Sequence, residues 1–149
     1  TAMTLAASNG TLAAHLHVEG FESFKRDAFD RRKVRAAIRK AGRLVEHRAR
    51  MNLALAGGAG NYPHKRTGML RDSIQTKVSR PGFLVRIMPQ RIAGMKDYYP
   101  AYLHYGTKGS GRGRKATIAP RGNYIADALE DEADRVKQVL SAGFAAALK

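Results

Sequence analysis

Five histidines are the side chains of this 149-residue chain best suited to bind a metal ion. They are His15, His17, His47, His64 and His104. His15 and His17 lie two residues apart in a strand pattern and would project from one face, but no third ligand follows at a recognisable spacing. The chain has no cysteine, which excludes thiolate nucleophiles, disulfides and cysteine-ligated zinc. We therefore expect no metal site and no cofactor.

The glycine-rich and acidic segments also lack a catalytic pattern. Residues 57–60 and 106–113 have no Lys-Ser/Thr pair, which a nucleotide-binding loop requires. No serine stands in a Gly-x-Ser-x-Gly elbow, and the acids of residues 127–134 crowd one predicted helix instead of converging on a cleft. The sequence thus predicts no catalytic residues, and we expect that the protein is not an enzyme.

Positive charge is the strongest functional signal in the sequence. The chain has 27 Lys and Arg residues against 12 Asp and Glu, a net charge of +15. Residues 1–122 hold 24 bases and 7 acids, whereas residues 123–149 hold 3 bases and 5 acids. The candidate contact residues of the predicted basic helix are Arg31, Arg32, Lys33, Arg35, Arg39, Lys40 and Arg43. The candidate acidic contacts, near the start of the last helix, are Asp127, Glu130, Asp131 and Asp134.

The basic helix has three interpretations that the sequence leaves open. It can neutralise the phosphates of a nucleic acid, with an affinity that falls steeply as salt rises. It can meet the acidic start of the last helix in a neighbouring copy of the chain, so that a ring closes. It can also be a solvated face that keeps the protein in solution.

The elements that position these charges follow from hydrophobic periodicity. Residues 15–20 alternate like a half-buried strand, and residues 72–79 and 83–88 read as an antiparallel hairpin around Arg80-Pro81-Gly82. Apolar residues recur at steps of three and four over residues 21–56 and 125–148, which predicts two long helices. The first stripe has a defect at Arg31 and Arg32, where either a kink or a break fits.

These elements predict an α+β fold, in which a small antiparallel sheet packs against two long amphipathic helices, with long exposed loops. We expect residues 1–14 to form an N-terminal arm and residues 15–149 to form a single domain. No apolar run approaches the roughly 18 residues needed to cross a bilayer, so we expect no membrane contact. The four tyrosines of residues 98–105 either stack on nucleic-acid bases or close the hydrophobic core.

Four segments in a fixed order resemble a known family. They are Val18-Glu19-Gly20-Phe21, the stretch from Thr67 to Ile74, the stretch from Tyr99 to Thr107, and Ala119-Pro120 before the last helix. The order resembles the tail-component, or tail-completion, family of the head-to-tail joining region of tailed double-stranded DNA bacteriophages. The residues that carry the motifs are Thr67, Gly68, Leu70, Ser73, Ile74, Tyr99, Tyr102, Tyr105, Gly106 and Thr107. The chain departs from the family at His104, where an acid is common, and in the residues between Pro120 and Tyr124.

The resemblance implies a structural virion protein that forms a ring, usually of six copies, in the neck or at the top of the tail. Such a ring completes the tail, joins it to the head and lets the genome pass through, next to the connector or tail-tube proteins. It implies a virion location after assembly in the bacterial host cytoplasm, and it implies that residues 67–74 lead into the central hairpin. The alternative from the charges alone is a free-standing basic protein that binds nucleic acid, including double-stranded DNA.

Two basic or glycine-rich loops are the predicted docking segments, because flexible loops can become ordered against a neighbouring ring. They span residues 57–65 and 107–122. The candidate docking residues are Gly57, Gly58, Gly60, Asn61, Lys65, Lys108, Arg112, Arg114, Lys115 and Arg121.

Overall fold

A computed structural model describes residues 3–7, 12–18, 28–54, 68–80, 84–95, 100 and 122–148 of the chain. The strands are β1 (Met3–Ala7), β2 (Ala14–Val18), β3 (Ile74–Val78) and β4 (Leu84–Pro89). The helices are α1 (Arg31–Ala54), α2 (Met69–Ser73), α3 (Tyr124–Asp131) and α4 (Ala133–Ala147). The predicted α+β fold, with a small antiparallel sheet against helices, is confirmed.

Within the described residues, the sheet has four antiparallel strands in the order β1-β2-β4-β3. β3 and β4 form the predicted hairpin, with Thr76 opposite Ile87, while the central residues of its turn, 81–83, lie outside the described residues. The hairpin begins two residues later than expected, because residues 69–73 complete the short helix α2 first. β2 pairs with β4, so the two central strands come from distant parts of the chain.

The predicted N-terminal arm is wrong for residues 3–7. These residues form β1, which pairs with β2 along its whole length, from Met3 opposite Val18 to Ala7 opposite Ala14. The sequence of β1 is short and rich in small residues, so it lacks the strong alternation that marks a strand. β1 is a strand because it pairs with β2, and a pairing between two segments cannot be recognised from the hydrophobic pattern of one of them.

The helices enclose one core on a single side of the sheet. α1 lies against β3 and β4, α4 runs along α1, and α3 contacts α1 together with β1 and β2. The largest fully buried side chains include Ile38, Val45, Ile74, Val85, Ile87, Ile125, Val136 and Leu140. Within the described residues, no helix is long and apolar enough to cross a membrane.

The two long helices differ from the prediction at one point each. α1 begins at Arg31 after the Asp30 carboxylate caps the Arg32 N–H at 2.9 Å, and Phe29 pairs in an isolated bridge with Leu148. Residues 28–30 are not helical, so no kinked helix continues into α1 at Arg31, while residues 21–27, where a short helix before a break would lie, are outside the described residues. The predicted last helix is interrupted at Glu132, which separates α3 from α4. The Glu132 N–H still donates to the Ala128 carbonyl, and the Glu132 carbonyl accepts from the Val136 N–H, so helical hydrogen bonds continue across the junction.

Candidate functional site

The described part of the family motif, from Gly68 to Ile74, builds a turn. Gly68 has a φ of 80°, in the left-handed region that favours glycine, and its carbonyl accepts from the Asp72 N–H at 3.0 Å. The buried Ser73 hydroxyl donates to the Leu70 carbonyl at 2.6 Å. Ile74 is fully buried and begins β3. These residues therefore position α2 and set where the hairpin begins, and the remaining motif residues lie outside the described ranges.

Three of the seven predicted basic residues come together on the side of α1 that faces β3. Arg35, Arg39 and Arg43 line an open cavity of about 430 Å³. We call this cavity the arginine groove; its other lining residues are Glu46, Gln75, Thr76 and Val78. The groove exists because the three arginines recur every fourth residue on one helix face, and β3 supplies the opposite wall.

The Arg35 guanidinium is fixed at one end of the arginine groove. Its Nη1 donates to the Arg80 carbonyl at 3.0 Å, just beyond the end of β3. Arg39 and Arg43 are exposed, and neither has a hydrogen bond or ion pair with another described residue. The groove therefore contains one anchored guanidinium and two that are available to a ligand.

Glu46 is the acid that lines the arginine groove, and its charge is already matched. Its Oε1 accepts from Arg50 Nη2 at 2.8 Å, and its Oε2 accepts from the Thr76 hydroxyl at 2.5 Å. Arg50 Nη2 also donates to the Ile74 carbonyl at 3.0 Å. Sequence reasoning missed this arrangement, although the four-residue spacing of Glu46 and Arg50 was an available signal.

The other predicted basic residues of α1 lie outside the groove. Arg31, Arg32 and Lys33 form the exposed first turn, and the Lys33 ammonium donates to the Ala146 carbonyl at 3.3 Å. Lys40 is exposed on the side of α1 next to α4. The sequence therefore identified a basic helix correctly, but it did not show which basic residues face β3 and which lie on the side next to α4.

The predicted acidic residues lie on two helices that contact α1 in the same chain. Asp127, Glu130 and Asp131 are on α3, and Asp134 is in the first turn of α4. Asp131 accepts from Arg48 at 3.2 Å, with both side chains more than a third exposed. One of the acids expected to meet a neighbouring copy thus has an intrachain partner, although such an exposed pair contributes little stability.

His15 and His17 lie on β2, where the register places His15 opposite Arg86 and Arg86 opposite Lys77. Burial lowers the pKa of His15, and the positive charge of Arg86 lowers it further. Among the described residues, no group of three His, Asp or Glu side chains is arranged to hold a metal ion. His64, His104 and all the candidate docking residues lie outside the described ranges.

Comparisons with known proteins identify no relative of this chain. No protein-family model matches the chain, and neither a curated protein nor a solved structure does. The function must therefore be inferred from the residues and their arrangement.

Proposed function

We propose that this chain is a structural protein of a tailed double-stranded DNA bacteriophage. It forms a ring of six copies in the neck or at the top of the tail, completes the tail and joins it to the head. Each subunit presents its sheet and helices to the next subunit, and the predicted docking loops reach the adjacent connector, neck or tail-tube proteins. The genome passes through the centre, and the subunit performs no catalysis.

The observation that best supports this proposal is the place of the motif from Gly68 to Ile74 in the fold. The resemblance implies that this segment leads into a central hairpin, and in the structure α2 runs directly into β3 of the β3–β4 hairpin. Leu70, Ser73 and Ile74 are buried there, so the side chains of the motif serve the fold. This use of the motif fits a structural protein.

The first test is the mass of the purified protein by light scattering after size exclusion, at about 0.15 M and about 1 M salt with nucleic acid removed. The proposal predicts a ring of about six subunits at the lower salt. Loss of the ring at the higher salt would assign the subunit contacts to charge. A monomer at both salts that is also absent from purified particles would contradict the proposal and favour the free-standing nucleic-acid-binding alternative.

A second test targets the predicted docking loop. Deleting residues 108–115 should leave subunits that fold and form rings but do not join heads to tails. Electron microscopy of the particles distinguishes joined virions from separate heads and tails. A normal yield of joined particles from the deletion variant would remove this loop from the proposal.

A further inference from the structure

We infer that the arginine groove binds the phosphodiester backbone of a nucleic acid. This inference goes beyond the proposed function and does not depend on it, because all the residues that line the groove belong to a single chain. It assigns the ligand to three arginines on one side of α1.

The spacing of the arginines matches a linear polyanion. Residues four apart on a helix lie on one face and are separated by about 6 Å along the axis. Arg35, Arg39 and Arg43 therefore form a short row, comparable in spacing to successive phosphates along a strand. Guanidinium groups suit this role because their planar N–H donors can bind phosphate oxygens in pairs.

The charge of the row is not compensated within the described residues. Glu46 is shared between Arg50 and Thr76, so it does not neutralise Arg39 or Arg43. On α3, Asp131 is paired with Arg48, which lies on the α3 side of α1. Like charges at a four-residue spacing repel each other, and an anion in the groove would relieve that repulsion.

The lining of the groove favours a nucleic-acid backbone over a protein segment. Apart from Val78, the lining side chains are charged or polar, so an amphipathic helix would find little apolar surface to bury. Among the described residues no strand pairs with the outer edge of β3, and this edge is too short to add a strand from a partner. The Gln90 N–H donates to the Ser73 carbonyl and the Ser79 N–H to the Leu84 carbonyl, at the two ends of the β3–β4 ladder. The alternation of an antiparallel ladder therefore turns the backbone N–H and C=O groups of residues 74, 76 and 78 away from β4. The outward carbonyl of Ile74 already accepts from Arg50.

The test compares two variants that each lose two positive charges from exposed helix positions. Arg39→Gln with Arg43→Gln alters the groove but keeps Arg35 on the Arg80 carbonyl. Lys40→Gln with Lys137→Gln alters α1 and α4 outside it. The full-length proteins are titrated against a labelled mixed-sequence duplex of about 24 base pairs, followed by fluorescence anisotropy at several salt concentrations. Circular dichroism melts confirm that both variants fold.

We expect the groove variant to bind the duplex about tenfold more weakly at about 0.1 M salt, and its salt slope to fall by about 1.8, the value for two phosphate contacts. The loss should be the same for duplexes of different sequence, and the control variant should bind like the wild type. Equal losses in both variants, or no duplex binding by the wild type, would overturn the inference. The inference would also be overturned if the groove variant bound the duplex like the wild type but had a lower mass in light scattering. That result would make the groove a contact between subunits.

Discussion

Gly42 is the position where α1 comes closest to the sheet. A Cβ atom at this residue would lie 2.6 Å from Thr76 Cγ2 and 2.8 Å from Val85 Cγ2. Both carbons belong to short, branched side chains, and Val85 is fully buried in the core. Neither can turn away without disturbing the packing, so the contact between α1 and the β3–β4 pair depends on the absence of a side chain.

Gly42→Ala should therefore destabilise the protein, although alanine is the better helix former. Overpacking in a core costs about 1 to 3 kcal/mol, which exceeds the gain of about 1 kcal/mol in helix propensity. Chemical denaturation followed by circular dichroism measures the free energy of unfolding. Ala36→Gly, at an exposed position of the same helix, is the control and should cost only the propensity difference. A Gly42→Ala protein more stable than the wild type would show that the sheet yields at this point.

His15 should make the stability depend on pH between neutral and mildly acidic conditions. Burial and the charge of Arg86 lower its pKa in the folded state below the ordinary value of 6.5. As the pH falls through this range, the unfolded chain takes up a proton that the folded chain refuses, so the free energy of unfolding decreases. The protein should thus be less stable at about pH 5.5 than at about pH 7.5.

The variant His15→Gln isolates this contribution. It should show a smaller decrease in the free energy of unfolding between the two pH values, measured by urea denaturation. His17→Gln, on the same face of β2, serves as the control for loss of an imidazole from this surface. If His15→Gln and the wild type lose stability equally, the acid sensitivity belongs to other groups.

At the level of elements, the contact between α1 and α4 depends on a pair of small residues. A Cβ atom at Gly143 would clash with the Cβ atom of Ala37 on α1. Both residues lie at least one full turn inside their helices, so the clash cannot be relieved at a frayed end. Close helix approach at this point fixes how α4 lies along α1.

Gly143→Ala should lower the free energy of unfolding, because overpacking at this crossing costs about 1 to 3 kcal/mol against a gain of about 1 kcal/mol in helix propensity. Adding Ala37→Gly removes the blocking carbon, so the double variant should recover part of the loss despite the low helix propensity of glycine. The interaction energy from the double-mutant cycle, measured by denaturation of the four proteins, should be at least about 0.5 kcal/mol in the stabilising direction. Additive effects of the two changes would contradict direct contact.

The elements that sequence reasoning predicted are those with a strong local period. Val34, Ile38 and Val45 mark the buried stripe of α1, and alternation marks the hairpin strands. The interruption at Glu132 escaped prediction because the apolar spacing continues through it into α4. Of the groove, the three arginines were among the seven basic residues named from charge, but their common position on one side of α1 was not predicted. Its other wall on β3 depends on the pairing of distant segments, which no local pattern reports.

At the scale of the whole molecule, the described part of the sheet ends at β1 on one side and at β3 on the other. The two edges differ in their surroundings. β3 lies beside α1 and the arginine groove, whereas β1 covers β2 and contacts α3. Without β1, the outer edge of β2 would present unpaired N–H and C=O groups next to the buried residues Ala14 and Leu16.

Deletion of residues 1–9 tests whether the N-terminal segment belongs to the domain. The deletion removes the five residue pairs between β1 and β2, so it should lower the free energy of unfolding by several kcal/mol, at a net value near 1 kcal/mol for each ladder hydrogen bond. The midpoint temperature of thermal unfolding should fall by several degrees, and light scattering should detect aggregation through the exposed edge of β2. Deletion of residues 1–2 alone is the control, because it leaves β1 intact. Equal melting of both variants and the full chain would mean that β1 contributes no stability. The segment would then behave in solution as the arm that its weak sequence pattern predicts.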